Sequence, residues 1–97
     1  MNFEERQNLW EKVVLKYKVG QLVKAKVVRH ENFGVFLDIG EGLIPGYVDI
    51  LNISDEEFRG RSGFPPIGQE VEGIVLILRN YKAEISLKKS HIEGAPF

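Results

Sequence analysis

Ninety-seven residues, 43% of them hydrophobic and 28% charged, suffice for one folded core and not for two. The absence of cysteine excludes disulfides, thiol catalysis and cysteine-ligated zinc together. A formal net charge of -1 and a pI near 6.1 exclude a strongly basic nucleic-acid binder, so attraction for phosphate has to come from local clusters of cations.

No stretch approaches the ~18 apolar residues of a membrane span. No basic segment leads into an apolar run near Met1, so a cytoplasmic location without membrane contact is expected. Residues 1–17 form the first unit. Phe3, Trp10, Val13, Val14 and Tyr17 recur at spacings of three, four and seven, which predicts an amphipathic helix over 2–17 with Asn2 and Glu5 as its capping box. That helix either covers one end of the next domain or offers Trp10 to a protein partner, and periodicity does not choose.

From Val19-Gly20 the period changes to two: Val23, Ala25 and Val27 alternate with Lys24, Lys26 and Val28. Arg29 to Asn32 reads as a polar connection. A second strand is predicted over Phe33–Ile39, a tight turn at Gly40-Glu41-Gly42, and a third strand over Leu43–Ile50. Ser54-Asp55-Glu56-Glu57 predicts a short helical turn anchored by Phe58. The glycines and prolines of Arg59 to Pro66 predict a loop with no regular element. Strands follow over Glu70–Leu78 and Tyr81–Lys88, joined through Arg79-Asn80, and residues 91–97 read as a tail, loose from Glu93 on. Ile67-Gly68-Gln69-Glu70-Val71 echoes Val19-Gly20-Gln21-Leu22-Val23, marking two equivalent approaches to strands of one sheet. Five short strands with a helical turn between the third and fourth make residues 18–90 an all-β, five-stranded Greek-key OB barrel.

Catalytic and cofactor motifs find no support. Gly40-Glu41-Gly42-Leu43-Ile44-Pro45-Gly46 has a displaced third glycine and joins two strands, unlike a dinucleotide-binding loop. His30 and His91 stand alone, and no serine sits in a nucleophile motif, so the reading is a non-catalytic domain without metal or cofactor.

The aromatic residues carry more. Strict alternation puts Phe33 on the inner face with Val35, Leu37 and Ile39, leaving Phe36 outside. A bulge at Gly34 would bring Phe33 out beside Phe36, with Tyr47 on the neighbouring strand. Exposed rings suit stacking on unpaired bases; buried ones would be ordinary core, and spacing alone leaves both open.

Val19-Gly20, Phe33-Gly34-Val35-Phe36-Leu37-Asp38-Ile39-Gly40, Pro45-Gly46-Tyr47-Val48, Ile67-Gly68-Gln69-Glu70-Val71 and Ile85-Ser86-Leu87-Lys88-Lys89 together resemble the RNA-binding domain named after ribosomal protein S-one. The resemblance runs from about residue 18 to residue 90 and leaves the N-terminal helix outside. It implies single-stranded RNA bound on the face of strands two and three. Phe33 and Phe36 would stack bases, Asn32, Arg79, Asn80, Tyr81 and Lys82 would border them, and Lys24 and Lys26 would attract phosphate. Tyr47 adds a ring where the family often has leucine. Asp49 replaces a usual histidine, Glu84 a frequent basic residue and Asn80 a common aspartate, and the two acidic changes weaken attraction for phosphate. The expectation is an RNA-binding module of low sequence specificity; the alternative is a protein-interaction module whose acidic face has lost RNA.

Overall fold

A computed structural model describes residues 3–56 and 60–94. The alternation in sequence becomes a closed sheet. Strands β1 (Leu22–Glu31), β2 (Gly34–Asp38), β3 (Gly46–Asp49), β4 (Glu70–Arg79) and β5 (Lys82–Ser86) hydrogen-bond in the order β1-β2-β3-β5-β4 and close on themselves. β3 and β5 run parallel and all other neighbours antiparallel. This is the five-stranded OB-like barrel expected, and closure leaves no strand edge unpaired along the seam.

Inward positions fill the interior: Val23, Ala25 and Val27 from β1, Val35 and Leu37 from β2, Val48 from β3, Val75 from β4, and Ala83 and Ile85 from β5. Phe64 joins them from the long connection after β3, and the His30 ring stands edge-on to it at 5.4 Å. His30 Nε2 donates to the Pro65 carbonyl at 2.7 Å, which ties that connection to β1.

Helix α1 (Phe3–Lys16) lies over the barrel end formed by the β2–β3 loop and the β4–β5 hairpin. Val13 and Tyr17 are buried, and Leu9 and Trp10 are half-buried against the core. Phe3 and Val14 depart from expectation, being exposed at 69% and 40%. The barrel end is narrower than the apolar stripe of the helix, and Leu9, near Gly42, meets it in place of Val14. Asn2, the expected cap, lies outside the described residues.

Several boundaries differ from the sequence expectation. β1 continues through Arg29 to Glu31 where a polar connection was expected, and β2 starts at Gly34, leaving Phe33 in the turn. β3 spans only four residues because Ile44 is buried from the preceding loop and Ile50 opens a 3₁₀ turn, Ile50–Asn52. Asp49 caps that turn by accepting from the Leu51 N–H at 3.0 Å. Ser54 Oγ accepts from the Glu56 N–H at 3.0 Å, as a local turn; Glu57 and Phe58, the rest of the expected helical turn, lie outside the described residues. A second 3₁₀ turn, Gly60–Gly63, occupies the segment expected to be irregular, and it is short enough to fit ahead of Pro65-Pro66. After β5 the chain forms helix α2 (Lys89–Glu93), overlapping the predicted tail. Its start is fixed by Asp55, which accepts from both the N–H and the hydroxyl of Ser90, and by buried Ser86, whose hydroxyl lies 2.7 Å from His91 Nδ1.

The two echoed segments meet. Gly20 and Gly68 have φ of 91° and 93°, the left-handed region that glycine enters freely. Gly20 N–H donates to the Val75 carbonyl while Val75 N–H donates to Gln21; Gly68 N–H donates to Val27 while Val27 N–H donates to Gln69. The β1–β4 seam is thus bolted twice by the same arrangement in opposite directions.

Candidate nucleic-acid interface

The register of β1 against β2 shifts between Val27 and Arg29. This bulge, rather than one at Gly34, organises the outer face, because it sets Arg29 opposite Phe36. The Arg29 guanidinium lies 4.4 Å from the centroid of the Phe36 ring. Phe36 is in turn directly opposite Tyr47 on β3, with ring centroids 5.0 Å apart and planes inclined at 51°. On the far side, the Lys82 ammonium stands 4.9 Å from the Tyr47 ring centroid. Two half-buried rings are therefore flanked by a cation on each side.

Gly34 serves this pair differently from expectation. It is buried, in register with Asp49, and a Cβ there would lie 2.2 Å from the Val48 carbonyl oxygen and 2.7 Å from the Tyr47 hydroxyl. Only glycine lets the Tyr47 ring lie across this position. The Tyr47 hydroxyl then donates to the Phe33 carbonyl at 2.9 Å, fixing the β1–β2 turn. Phe33 itself is 73% exposed at that turn, and the ring packed on Phe36 is Tyr47.

Arg79 and Glu84, expected to act separately, are joined: Arg79 Nε lies 2.6 Å from Glu84 Oε2, and Glu84 sits beside Tyr47 in the β3–β5 register. Arg29 Nε similarly lies 2.7 Å from Glu31 Oε1. Asn80 and Tyr81 form the β4–β5 turn with φ of 54° and 59°. Tyr81 turns away to α1, where Arg6 covers its ring at 4.3 Å and its hydroxyl bonds Gln7. Asn32 lies exposed in the β1–β2 turn. Lys24 and Lys26 point outward but elsewhere along the strand: they face Glu72 and Glu70 across the seam, Lys26 also faces Asp38, and with Asp38 and Glu70 they line a separate depression.

Burial, then the charges of Asp49, Glu84 and Glu31, raise the Tyr47 phenol above its ordinary value, so it stays a hydrogen-bond donor at neutral pH. Among the described residues no group of three or more His, Asp or Glu side chains could hold a metal ion, and no helix is long and apolar enough to cross a membrane. Arg29 and Glu31 were missed by sequence reading. The one trace was Val27-Val28, a pair that breaks the alternation where the bulge falls.

An OB-like barrel with aromatic rings on β2 and β3 narrows the families, and comparison decides between them. Residues 16–63 match the S1 RNA binding domain family. The chain belongs to that family. The S1 domain here is 33% identical over 94 residues to the small ribosomal subunit protein bS1 of Synechococcus elongatus, covering 95% of this chain and 30% of that protein. It is 31% identical over 87 residues to the 4-hydroxy-3-methylbut-2-enyl diphosphate reductase of Clostridium acetobutylicum, covering 90% of this chain and 13% of the reductase. The chain thus spans less than a third of either relative, one an enzyme and one not, and what they share with it is the S1 domain. Among solved structures it resembles a chain of the a/eIF2alpha-aDim2p-rRNA complex from Pyrococcus horikoshii, with a TM-score of 0.67 and 24% identity over 75% of this chain and 45% of that one.

Proposed function

We propose that this S1 domain binds single-stranded RNA by stacking unpaired bases on Phe36 and Tyr47, with Phe33 at the rim. The observation that carries the reading is the open ring pair, 5.0 Å between centroids, with Arg29 and Lys82 on its two sides. Rings present a surface that any base can cover, so sequence specificity is low. In this reading Lys82 meets phosphate on one side of the stacked bases, Arg29 with its partner Glu31 flanks the other, and Asn32, Arg79 and Asn80 form the borders. Lys24 and Lys26, each opposite a carboxylate, contribute only a weak field at a distance. The ribosomal relatives and the RNA-containing complex are consistent with this ligand class. A protein-adaptor reading has no comparable observation behind it, since Trp10 is half-buried against Tyr81.

Fluorescence anisotropy with a labelled mixed-sequence RNA of about eight nucleotides at low salt tests the proposal. Phe36→Ala is expected to lower affinity by about five- to 150-fold, from stacking worth roughly 1–3 kcal/mol per base. Equal binding by parent and variant would reject the ring pair as the site.

A further inference from the structure

Arg29, over Phe36, and Arg79, paired with the Glu84 that lies beside Tyr47, each already hold a carboxylate. The Arg29–Glu31 and Arg79–Glu84 separations of 2.7 and 2.6 Å are those at which an arginine grips a phosphate oxygen. The Arg29 and Arg79 side chains remain 61% and 58% exposed, so an incoming anion can approach them without opening the barrel. The Arg29–Glu31 pair is exposed on both sides and contributes little to folding, whereas the Glu84 side chain is only 19% exposed. Both pairs stand where a bound strand would run, one beside Phe36 and one beside Tyr47. Lys82 differs, for among the described residues its ammonium engages a ring and not a carboxylate.

We propose that Glu31 and Glu84 are built-in phosphate substitutes that occupy Arg29 and Arg79, so that the interface selects RNA through its bases and discriminates against ligands led by their backbone, such as duplexes. The inference rests on the stacking reading above. A phosphate reaching Arg79 must displace Glu84, and the released carboxylate gathers a cation as the phosphate loses one. The exchange is nearly neutral in released ions, so binding depends less on salt than the number of nearby cations suggests. Bases placed on Phe36 and Tyr47 have only the flanking cations to move from the ring faces, and no carboxylate to displace.

The test compares the parent, Glu31→Gln, Glu84→Gln and Glu84→Gln/Arg79→Gln, each titrated with single-stranded RNA and with a duplex of equal length at about 50 and 200 mM salt. Each single variant keeps the shape of the side chain and frees one arginine. Affinity for single strands is expected to rise about two- to fivefold, the scale of an exposed ion pair. The slope of log affinity against log salt should steepen by roughly 0.7 for each arginine freed, and the gain should be larger for the duplex. Adding Arg79→Gln should cancel the gain from Glu84→Gln, and binding by the glutamine variants where the parent binds weakly would be the clearest support. If both single variants match the parent in affinity, salt slope and duplex discrimination, the substitution idea falls while the stacking site stands. Loss of the Phe36→Ala effect would instead remove the stacking site.

Discussion

Two aromatic clusters in this molecule have nearly the same parts. Around Tyr81, Trp10 lies 5.7 Å away between centroids and Arg6 covers the ring at 4.3 Å. Around Tyr47, Phe36 lies 5.0 Å away and Lys82 stands at 4.9 Å. The first is roofed by α1 and spends its rings on holding a helix to a hairpin; the second, among the described residues, has ring and cation neighbours only from the strands themselves. The Tyr81 hydroxyl is taken by Gln7 of the helix, whereas the Tyr47 hydroxyl is taken by the backbone of its own sheet, leaving the ring's outer side available. A ring with a cation on it is therefore not by itself a binding site. What decides is whether the chain supplies the partner.

Opening the roofed cluster should cost the most. Trp10→Ala removes a half-buried ring and should cost about 2–3 kcal/mol of stability by urea denaturation, whereas Phe36→Ala should cost under about 1 kcal/mol, its loss appearing in RNA affinity. Equal destabilisation by the two would mean that the clusters are not distinct in kind. A smaller effect sharpens the open cluster: Tyr47→Phe keeps the ring and removes the bond to the Phe33 carbonyl, which should lower stability by about 0.5–1.5 kcal/mol. It should also weaken RNA by a few-fold as the turn bearing Phe33 loosens, and calorimetry beside anisotropy separates the two.

The smallest effect concerns the foot of the roof. Glu41 accepts hydrogen bonds from Lys16 and Tyr17, which hold its carboxyl below its ordinary value of 4.5. Folding therefore gains from this group above pH 4.5 and loses that gain as pH falls through the lowered value. Tyr17, pushed up to about 12 by burial and then by Glu41, contributes fully below pH 10 and loses its contribution as pH rises toward 12. Glu41→Gln should be less stable than the parent at pH 7 and equal to it in acid, with tryptophan fluorescence reporting α1. The ring pair on β2 and β3 should be indifferent to the same change.

Much of the barrel was legible because one face of each strand must avoid water. Val23, Ala25 and Val27, then Val35 and Leu37, are buried as alternation requires. The family blocks gave order to the strands. The site was less legible, because its key contacts are set by events off the alternating pattern: a bulge after Val27, a glycine chosen for the ring above it, and an arginine in a stretch that looked like a connection. Spacing left Phe36 open between core and outer face; the ring is half-buried, and the ring packed on it is that of Tyr47 from the next strand, with Phe33 exposed in the turn. Asp49 and Glu84 looked like isolated negative charge in the sequence, yet one caps a turn and the other holds Arg79. Charge on a strand reveals its meaning only when the cross-strand neighbour is known, and that neighbour lies far away in sequence.

The doubled glycine bolt between β1 and β4 has a kinetic side. The residues it joins are about fifty positions apart, so closing the loop costs roughly 3 kcal/mol of chain entropy before the contacts return it. The hairpins β1–β2 and β4–β5 join neighbours in the chain and can form early. The seam is the step that turns two ribbons into a barrel. Gly20 and Gly68, which hold the seam through backbone bonds, thereby bear on how long the chain spends with its core open.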